Sequence, residues 1–337
     1  MRQVSILIVF FLIYSIFFTK PILANEVTSS SEIAATDTEN NQTVIVVIGA
    51  GGTLDYRMEF LECADLLKQA CLQANVEYIS IGNEQASDTN DIDKLREAIN
   101  NQPKEQVNSA LWLIFIGHGT FDGREAKFNL QGPDIKAQEL AELLKPIQRP
   151  IAIINASSSS APFMNKLSGS NRVIITATKS GFELNYTRFG TYFANAITDT
   201  SSDIDKDGQT SLLEAFLAAS RNVEEFYSAA GRLATEHALL DDNGDGLGTS
   251  ADWYQGIKPV KKAAENNALD GYRANQFCLI PSEIEKKIPV DLRAKRDELE
   301  MEVIKLRDSR DMYSEDEYYS KLEQLTLEIA KIYEKFD

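Results

Sequence analysis

Histidine is almost missing from this chain: its 337 residues include two, His118 and His237, and only three cysteines, Cys63, Cys71 and Cys278. Multi-histidine zinc or iron centres and four-thiolate sites are therefore excluded, since neither donor type reaches the number such sites need. Positive charge is short as well. With 34 Lys and Arg against 51 Asp and Glu, the formal charge of −17 argues against nucleic acid as a partner and favours cations and neutral or basic molecules. A hard, oxygen-liganded cation stays open. Past residue 24 there is no apolar run long enough to span a membrane. What remains is globular in composition, 43% hydrophobic and 25% charged, and long enough to bury a core without metal or disulfide.

Residues 1–24 are a different material. Arg2 precedes residues 4–18, which are apolar except for Ser5, Tyr14 and Ser15, and small Ala24 ends the stretch. The reading is an export signal, implying a secreted, periplasmic or cell-surface protein. An uncleaved anchor is the alternative, although the run falls short of the roughly 20 residues of a spanning helix. Cleavage removes Arg2 and Lys20 and no acid, taking the charge from −17 to −19. Cys63 and Cys71 share an apolar helix face with Phe60, Leu66, Leu67 and Ala70; at about 1.5 Å per residue they lie roughly 12 Å apart, too far to bond each other. Buried thiols are expected, a bridge to Cys278 depending on whether the fold brings it near.

Residues 25–42 are polar and aperiodic, a flexible lead. From residue 43 strands and helices alternate. Residues 44–48, 110–116, 150–154 and 172–177 are nearly continuous aliphatic runs, the mark of strands buried on both faces of a parallel sheet, and 76–81 reads as another strand. Helices are expected over 55–74, 92–100, 137–144, 189–197 and 211–230, with a short excursion at 127–130. The fold class is α/β, a three-layer sandwich on a mostly parallel sheet, its core running from 43 to about 257. Residues 258–280 read as a linker by composition. Beyond them Ile288, Leu292, Leu299, Val303 and Leu306 form one apolar stripe, and Leu322, Leu325, Ile329, Ile332 and Phe336 a second. With Ser314 and Glu317 as a capping box, they predict a helical hairpin over 281–337. Packing onto the core or oligomerisation through the hairpin would each hide the stripes; the first is expected.

Residues 203–214 match a calcium-binding EF-hand loop at every ligand position: carboxylates from Asp203, Asp205 and Asp207, a turn at Gly208, the Gln209 carbonyl, Ser211 through water and bidentate Glu214. Residues 241–252 repeat the arrangement more loosely, with Asp241, Asn243, Asp245, the Leu247 carbonyl, Thr249 and the shorter Asp252. The intervening 215–240 read as a helix pair coupling the loops over a region 201–257. Ca2+ is the expected cofactor, as a stabilising clamp rather than a sensor.

The turn Gly49-Ala50-Gly51-Gly52-Thr53-Leu54 follows a strand and opens a helix, but Leu54 stands where a dinucleotide fingerprint needs its third glycine. An ordinary strand-to-helix turn is expected. More telling is Gly117-His118-Gly119 at the end of the central strand, at the carboxyl rim where α/β proteins place chemistry. The next fully buried strand ends in Asn155-Ala156-Ser157-Ser158-Ser159-Ser160, and if the two strands are neighbours, His118 faces the serine run. His237, between the two calcium loops, reads as a packing residue.

These two turns resemble the caspase and legumain superfamily of cysteine peptidases, in which a strand-His-Gly turn is followed by a strand ending x-Ala-Cys-x-Ser-Gly. The resemblance covers 43–200, with the calcium region and hairpin outside it. It implies a caspase-like sandwich, His118 and Ser157 at the catalytic positions, and a substrate-pocket wall at 177–183, with Asn155, Lys179 and Glu183 on the binding side. Ser157 stands where the family has its nucleophilic cysteine, and Ser160 where it has glycine. A hydroxyl needs a base oriented by a third group, and no acid is spaced to serve. The expectation is a calcium-stabilised pseudo-peptidase that binds a polypeptide or partner protein at this rim. The rivals are a hydrolase using Ser157 and His118, with the Gly119 and Ser157 N–H groups as oxyanion donors, and a calcium-dependent surface scaffold assembling through the hairpin.

Overall fold

The computed structural model describes residues 41–84, 89–104, 108–261 and 269–336. The export segment and nearly all of the lead lie outside the described residues, as does part of the expected linker. No helix among the described residues is long and apolar enough to cross a membrane.

The chain runs β1 (Thr43–Ile48), α1 (Leu54–Ala74), β2 (Glu77–Ile81), α2 (Asp91–Asn100), β3 (Leu111–Ile116), β4 (Gly119–Phe121), β5 (Ala126–Phe128), β6 (Ile135–Lys136), α3 (Ala137–Leu144), β7 (Ile151–Asn155), α4 (Ala161–Leu167), β8 (Arg172–Thr176) and α5 (Phe189–Ala196). It continues through α6 (Leu212–Ala229), β9 (Leu239–Asp241), β10 (Thr249–Ser250), β11 (Tyr254–Gln255), β12 (Lys258–Pro259), α7 (Val290–Asp308) and α8 (Glu315–Tyr333). Seven strands form one sheet in the order β2-β1-β3-β7-β8-β9-β10. The first five are mutually parallel, and β9 and β10 add antiparallel at one edge. Strands without alternation are buried on both faces, and the side chains sort accordingly. Val44, Val46, Trp112, Ile114, Ile154 and Ile175 pack under α1, α5 and α6, whereas Ile45, Val47, Leu113, Phe115, Ile153 and Ile174 pack under α2, α3 and α4. The result is the three-layer α/β sandwich read from the sequence.

The sheet runs past the 43–200 of the resemblance and stays within the expected core of 43 to about 257, since β9 and β10 complete its edge. Three expectations change. The expected linker is core over its described C-terminal part: Ala274, Phe277 and Leu279 are buried with the α1–α5–α6 layer, Leu212 N donates to Phe277 O at 2.7 Å, and Ser211 bridges to Cys278. Between the calcium loops stands one helix, α6, followed by irregular chain, because Gly231 turns out at φ 62° and the residues after it form no further helix. The hairpin closes mainly on itself: Ile288, Leu299 and Ile332 form a separate apolar cluster with Leu292, Leu325, Ile329 and Phe336. Arg296 locks it by donating to Glu285 and Asp297, both at 2.6 Å, and to Tyr333 Oη at 3.2 Å. The Ser314–Glu317 capping box opens α8 as expected.

All three cysteines are free thiols. Burial pushes Cys63 and Cys71 up to about 12 and raises Cys278 as well, so none is a ready nucleophile.

At the amino end of the sheet, buried Arg149 donates to Ser109 O at 2.8 Å, Ala110 O at 2.9 Å and Asn41 O at 3.0 Å, joining the entries to β1, β3 and β7. A lysine has the charge without the fork, so Arg149→Lys strands carbonyls away from water. The expected loss is about 2–3 kcal/mol, read as a lowered urea midpoint at fixed calcium. An unchanged midpoint would show that the fork adds nothing to the fold.

Candidate functional site

The sheet order makes β3 and β7 adjacent, with Ile114 opposite Ile154 and Phe115 opposite Asn155. The turns after them, His118 and Ser157, therefore share one rim as the sequence suggested. The approach is close: a Cβ on residue 119 would lie 2.2 Å from Ser158 O and 2.9 Å from Ser157 Oγ, so only glycine fits there.

Ser157 and His118 nonetheless look to different partners. Ser157 is fully buried, its Oγ donates to Asn155 Oδ1 at 2.6 Å, and its N–H reaches the same oxygen at 3.2 Å. The Gly119 N–H donates to Ser158 Oγ at 3.1 Å. Both expected oxyanion donors are thus committed, because the Asn155 carboxamide and the Ser158 hydroxyl are local and already aligned. The His118 ring sits edge-on among Tyr56, Phe60 and Tyr186, with centroids 4.9, 5.2 and 6.1 Å away. Burial in this cage lowers its pKa from the ordinary 6.5, against the opposing effect of a bond to the Gly51 backbone. No hydrogen bond among the described residues joins it to Ser157.

The expected pocket wall is tied to the serine loop. Ser159, at φ 54°, donates its N–H to Glu183 O at 2.9 Å, and Ser160 Oγ and Thr178 Oγ1 lie 3.1 Å apart. Lys179 is present through its backbone N–H, which donates to Glu183 Oε2 at 3.0 Å, while its side chain is exposed. His237 is more than a packing residue: Nδ1 lies 2.6 Å from Glu183 Oε1. Its neighbour Glu236 is buried and accepts from Arg188 N at 2.8 Å and Phe189 N at 3.1 Å, capping α5. Neither contact has a local sequence signal, since each depends on how the irregular chain after α6 returns to the rim.

In the first calcium loop, oxygens of Asp203, Asp205 and Glu214 lie within 4.8 Å of one another. Calcium–oxygen bonds of about 2.3–2.6 Å put two ligands of one ion no more than roughly 5 Å apart, so these carboxylates fit a calcium ion. Asp203 accepts from Lys206 N at 2.6 Å and Gly208 N at 3.1 Å, and Glu214 from Ile204 N at 2.6 Å and Ser211 N at 2.8 Å. Ser211 and Glu214 form a capping box at the start of α6. Burial, then Asp207 and Glu214, push Asp205 up to about 6, the expected strain of acids gathered without a countercharge. Gln209 Oε1 accepts from Ser282 N at 3.2 Å, fastening the loop to the entry of the hairpin.

The second loop has the same internal bonding. Asp241 accepts from Gly244 N at 3.0 Å and Gly246 N at 3.2 Å, Asn243 from Asp245 N at 2.8 Å, and Asp245 from Leu247 N at 2.7 Å. Asp252 is not part of it: the side chain is exposed and held by Ser250 and Lys261, because a short turn of helix over Ala251–Trp253 carries it outward.

No protein-family model matches this sequence, and no curated protein matches it. Among solved structures, the Drosophila initiator caspase Dronc is similar over 69% of this chain and 95% of its own, at 13% identity and a TM-score of 0.40. Caspase-1 from Spodoptera frugiperda is similar over 61% and 89%, at 11% and 0.41. A Geobacter sulfurreducens protein follows over 54% and 89%, at 13% and 0.36. At these values the comparisons fix no residue correspondence, and the site rests on its own geometry.

A lowered pKa means the folded state favours neutral His118. Its contribution is full above the unfolded value near 6.5 and lost as pH falls below it. By NMR, His118 should titrate below 6.5, and Ser157→Ala should leave that midpoint unmoved. A shifted midpoint in the variant would reveal a Ser157–His118 bond.

Proposed function

We propose that this chain is an exported, calcium-binding protein with a caspase- or legumain-like sandwich whose rim holds a polypeptide and no longer cleaves it. The observation that carries the reading is the buried Ser157 hydroxyl, spent on Asn155 Oδ1 at 2.6 Å, while the caged His118 makes no bond to it. A serine nucleophile needs its base in hydrogen-bond reach and its oxyanion donors free, and neither condition is met. Polypeptide binding is supported by exposed Leu54 and Met58 at the start of α1 and exposed Phe182 and Leu184 on the loop before α5, apolar side chains flanking the rim. Calcium at 203–214 is supported by the carboxylates of Asp203, Asp205 and Glu214 and by a charge of −17. The hairpin's self-closed cluster speaks against assembly through its stripes.

Two experiments test the halves separately. Peptide-library hydrolysis by the purified protein should show no turnover above that of Ser157→Ala and His118→Ala, with or without calcium; turnover lost in both variants would make it a serine hydrolase. Glu214→Gln should abolish binding at the first loop in a calcium titration, and a titration identical to that of the unaltered protein would end the calcium assignment there.

A further inference from the structure

We infer that the cleft between α7 and the amino end of the sheet binds an acidic peptide segment, whose carboxylates meet Arg273 and Arg293 and whose backbone carbonyls meet the carboxamides around them. The cleft lies at the opposite end of the parallel strands from the rim.

Ala110, Pro150 and Asn171, at the entries to β3, β7 and β8, form its floor, and Val290, Arg293 and Met301 of α7 form a wall. It encloses about 610 Å3, within the range of roughly 300–1,000 Å3 in which proteins take organic ligands. The gap stays open because α7 commits Leu292 and Leu299 to the hairpin's own cluster. What crosses to the sandwich is polar: Gln276 Nε2 donates to Asp297 O at 2.9 Å and to Glu300 Oε2 at 3.1 Å.

Arg293 differs from the other inward-facing guanidinium groups. Arg172 donates to Leu167 O at 2.8 Å and Leu144 O at 3.1 Å, and Arg149 and Arg296 are bound as described above. Arg293 has neither hydrogen bond nor ion pair among the described residues, although its Nε is buried and burial holds its pKa below the ordinary guanidinium value. Arg273 is half used: Nη1 donates to Asn171 Oδ1 at 3.2 Å, while the buried Nε has no partner. Buried donors left unpaired cost more than a hydrogen bond returns, so two in one cleft point to an acceptor supplied from outside. The planar fork of arginine matches a carboxylate.

The rest of the lining also offers donors. Asn171 Oδ1 is taken by Arg273 and Asn275 Oδ1 by Ser211 Oγ at 3.1 Å, which leaves the amide N–H groups of both for a ligand. The acids present are matched, Glu285 and Asp297 by Arg296 and Glu300 by Gln276. No ring is free to stack on a sugar, since Phe277 packs on Trp112 with centroids 6.0 Å apart and Tyr333 lies against Arg296, and this favours a peptide. The chain's charge of −17 opposes an acid at long range, but salt at 0.1 M confines that repulsion to about 10 Å.

The test is an immobilised library of acetylated hexapeptides, probed with the purified protein and with Arg293→Gln at fixed calcium. The unaltered protein should retain a set enriched in Asp and Glu, and Arg293→Gln should bind that set about tenfold more weakly or worse. Peptides held at the rim are retained equally by both, so an identical bound set would overturn the inference and leave the rim reading standing. Displacement of the acidic peptides by inorganic phosphate as readily as by free peptide would also overturn it, because the carboxamides would then add nothing. Without peptide, the urea midpoint of Arg293→Gln should equal or exceed that of the unaltered protein, since an unpaired charge is removed. A lowered midpoint would assign Arg293 to the fold and overturn the inference.

Discussion

Beyond α5 the described chain has one long helix and a few strands of two or three residues before the hairpin, so most of its backbone N–H groups lack a ladder to join. Buried backbone donors left unpaired cost about as much as a lost hydrogen bond, and here carboxylates meet them. Glu214 holds the start of the first loop, Glu236 caps α5, Asp241 winds the second loop, and Asp242 and Asp270 exchange N–H bonds between 242–243 and 271–274. Taking these acids out of water is itself expensive, and burial raises Glu236, Asp241 and Asp242 and pushes Asp270 up to about 8. Part of the excess of negative charge is thus built into the architecture, as acceptors for backbone donors that no ladder receives.

The rim is governed by a different constraint, the closeness of two backbone turns. Gly119 admits no side chain because the serine loop lies against it, and residue 190 is glycine where a Cβ would come within 2.9 Å of Ala156. Crowding of this sort presses the serine run into hydrogen bonds with its own neighbours. Ser158 links to Gly119 on one side, Ser160 to Thr178 on the other, and Asn155 secures Ser157 between them. In this arrangement the hydroxyls act as structural pins. A thiol, a weak donor and acceptor, would not hold these positions as well. A serine at 157 therefore suits a loop built to be rigid.

Much of this was legible in the residues because it depends on local periodicity. Continuous aliphatic runs marked β1, β3, β7 and β8, the heptad-like stripes marked α7 and α8, and the Asp-x-Asp-x-Asp-Gly pattern marked the first loop together with its closing Glu214. The glycines around His118 correctly indicated a turn on the rim. What escaped depends on chain return. Asp270 lies in a stretch whose composition resembles a linker, and only the packing of Ala274 and Leu279 into the sandwich brings its carboxylate to the N–H groups of Asp242 and Asn243. His237 and Glu236 looked helical for the same reason: without the course of the chain after α6, nothing ties them to Glu183 or α5. The cage of Tyr56 and Tyr186 around His118 likewise unites residues from separate elements.

The two constraints meet in residues 235–237, which lie between the calcium loops in sequence and on the rim in space. Glu236 fixes the first turn of α5, the helix whose Gly190 abuts the serine loop at Ala156; Thr187 Oγ1, just before α5, donates to Ala156 O at 2.5 Å. His237 fixes Glu183, whose carbonyl receives Ser159 N. Both walls of the rim are therefore referred to one short segment, and that segment is anchored upstream by α6, which opens on the first loop, and downstream by β9, which ends on Asp241, the first residue of the second. Fixing either loop therefore fixes the chain that positions both walls of the rim, with no contact to the rim itself.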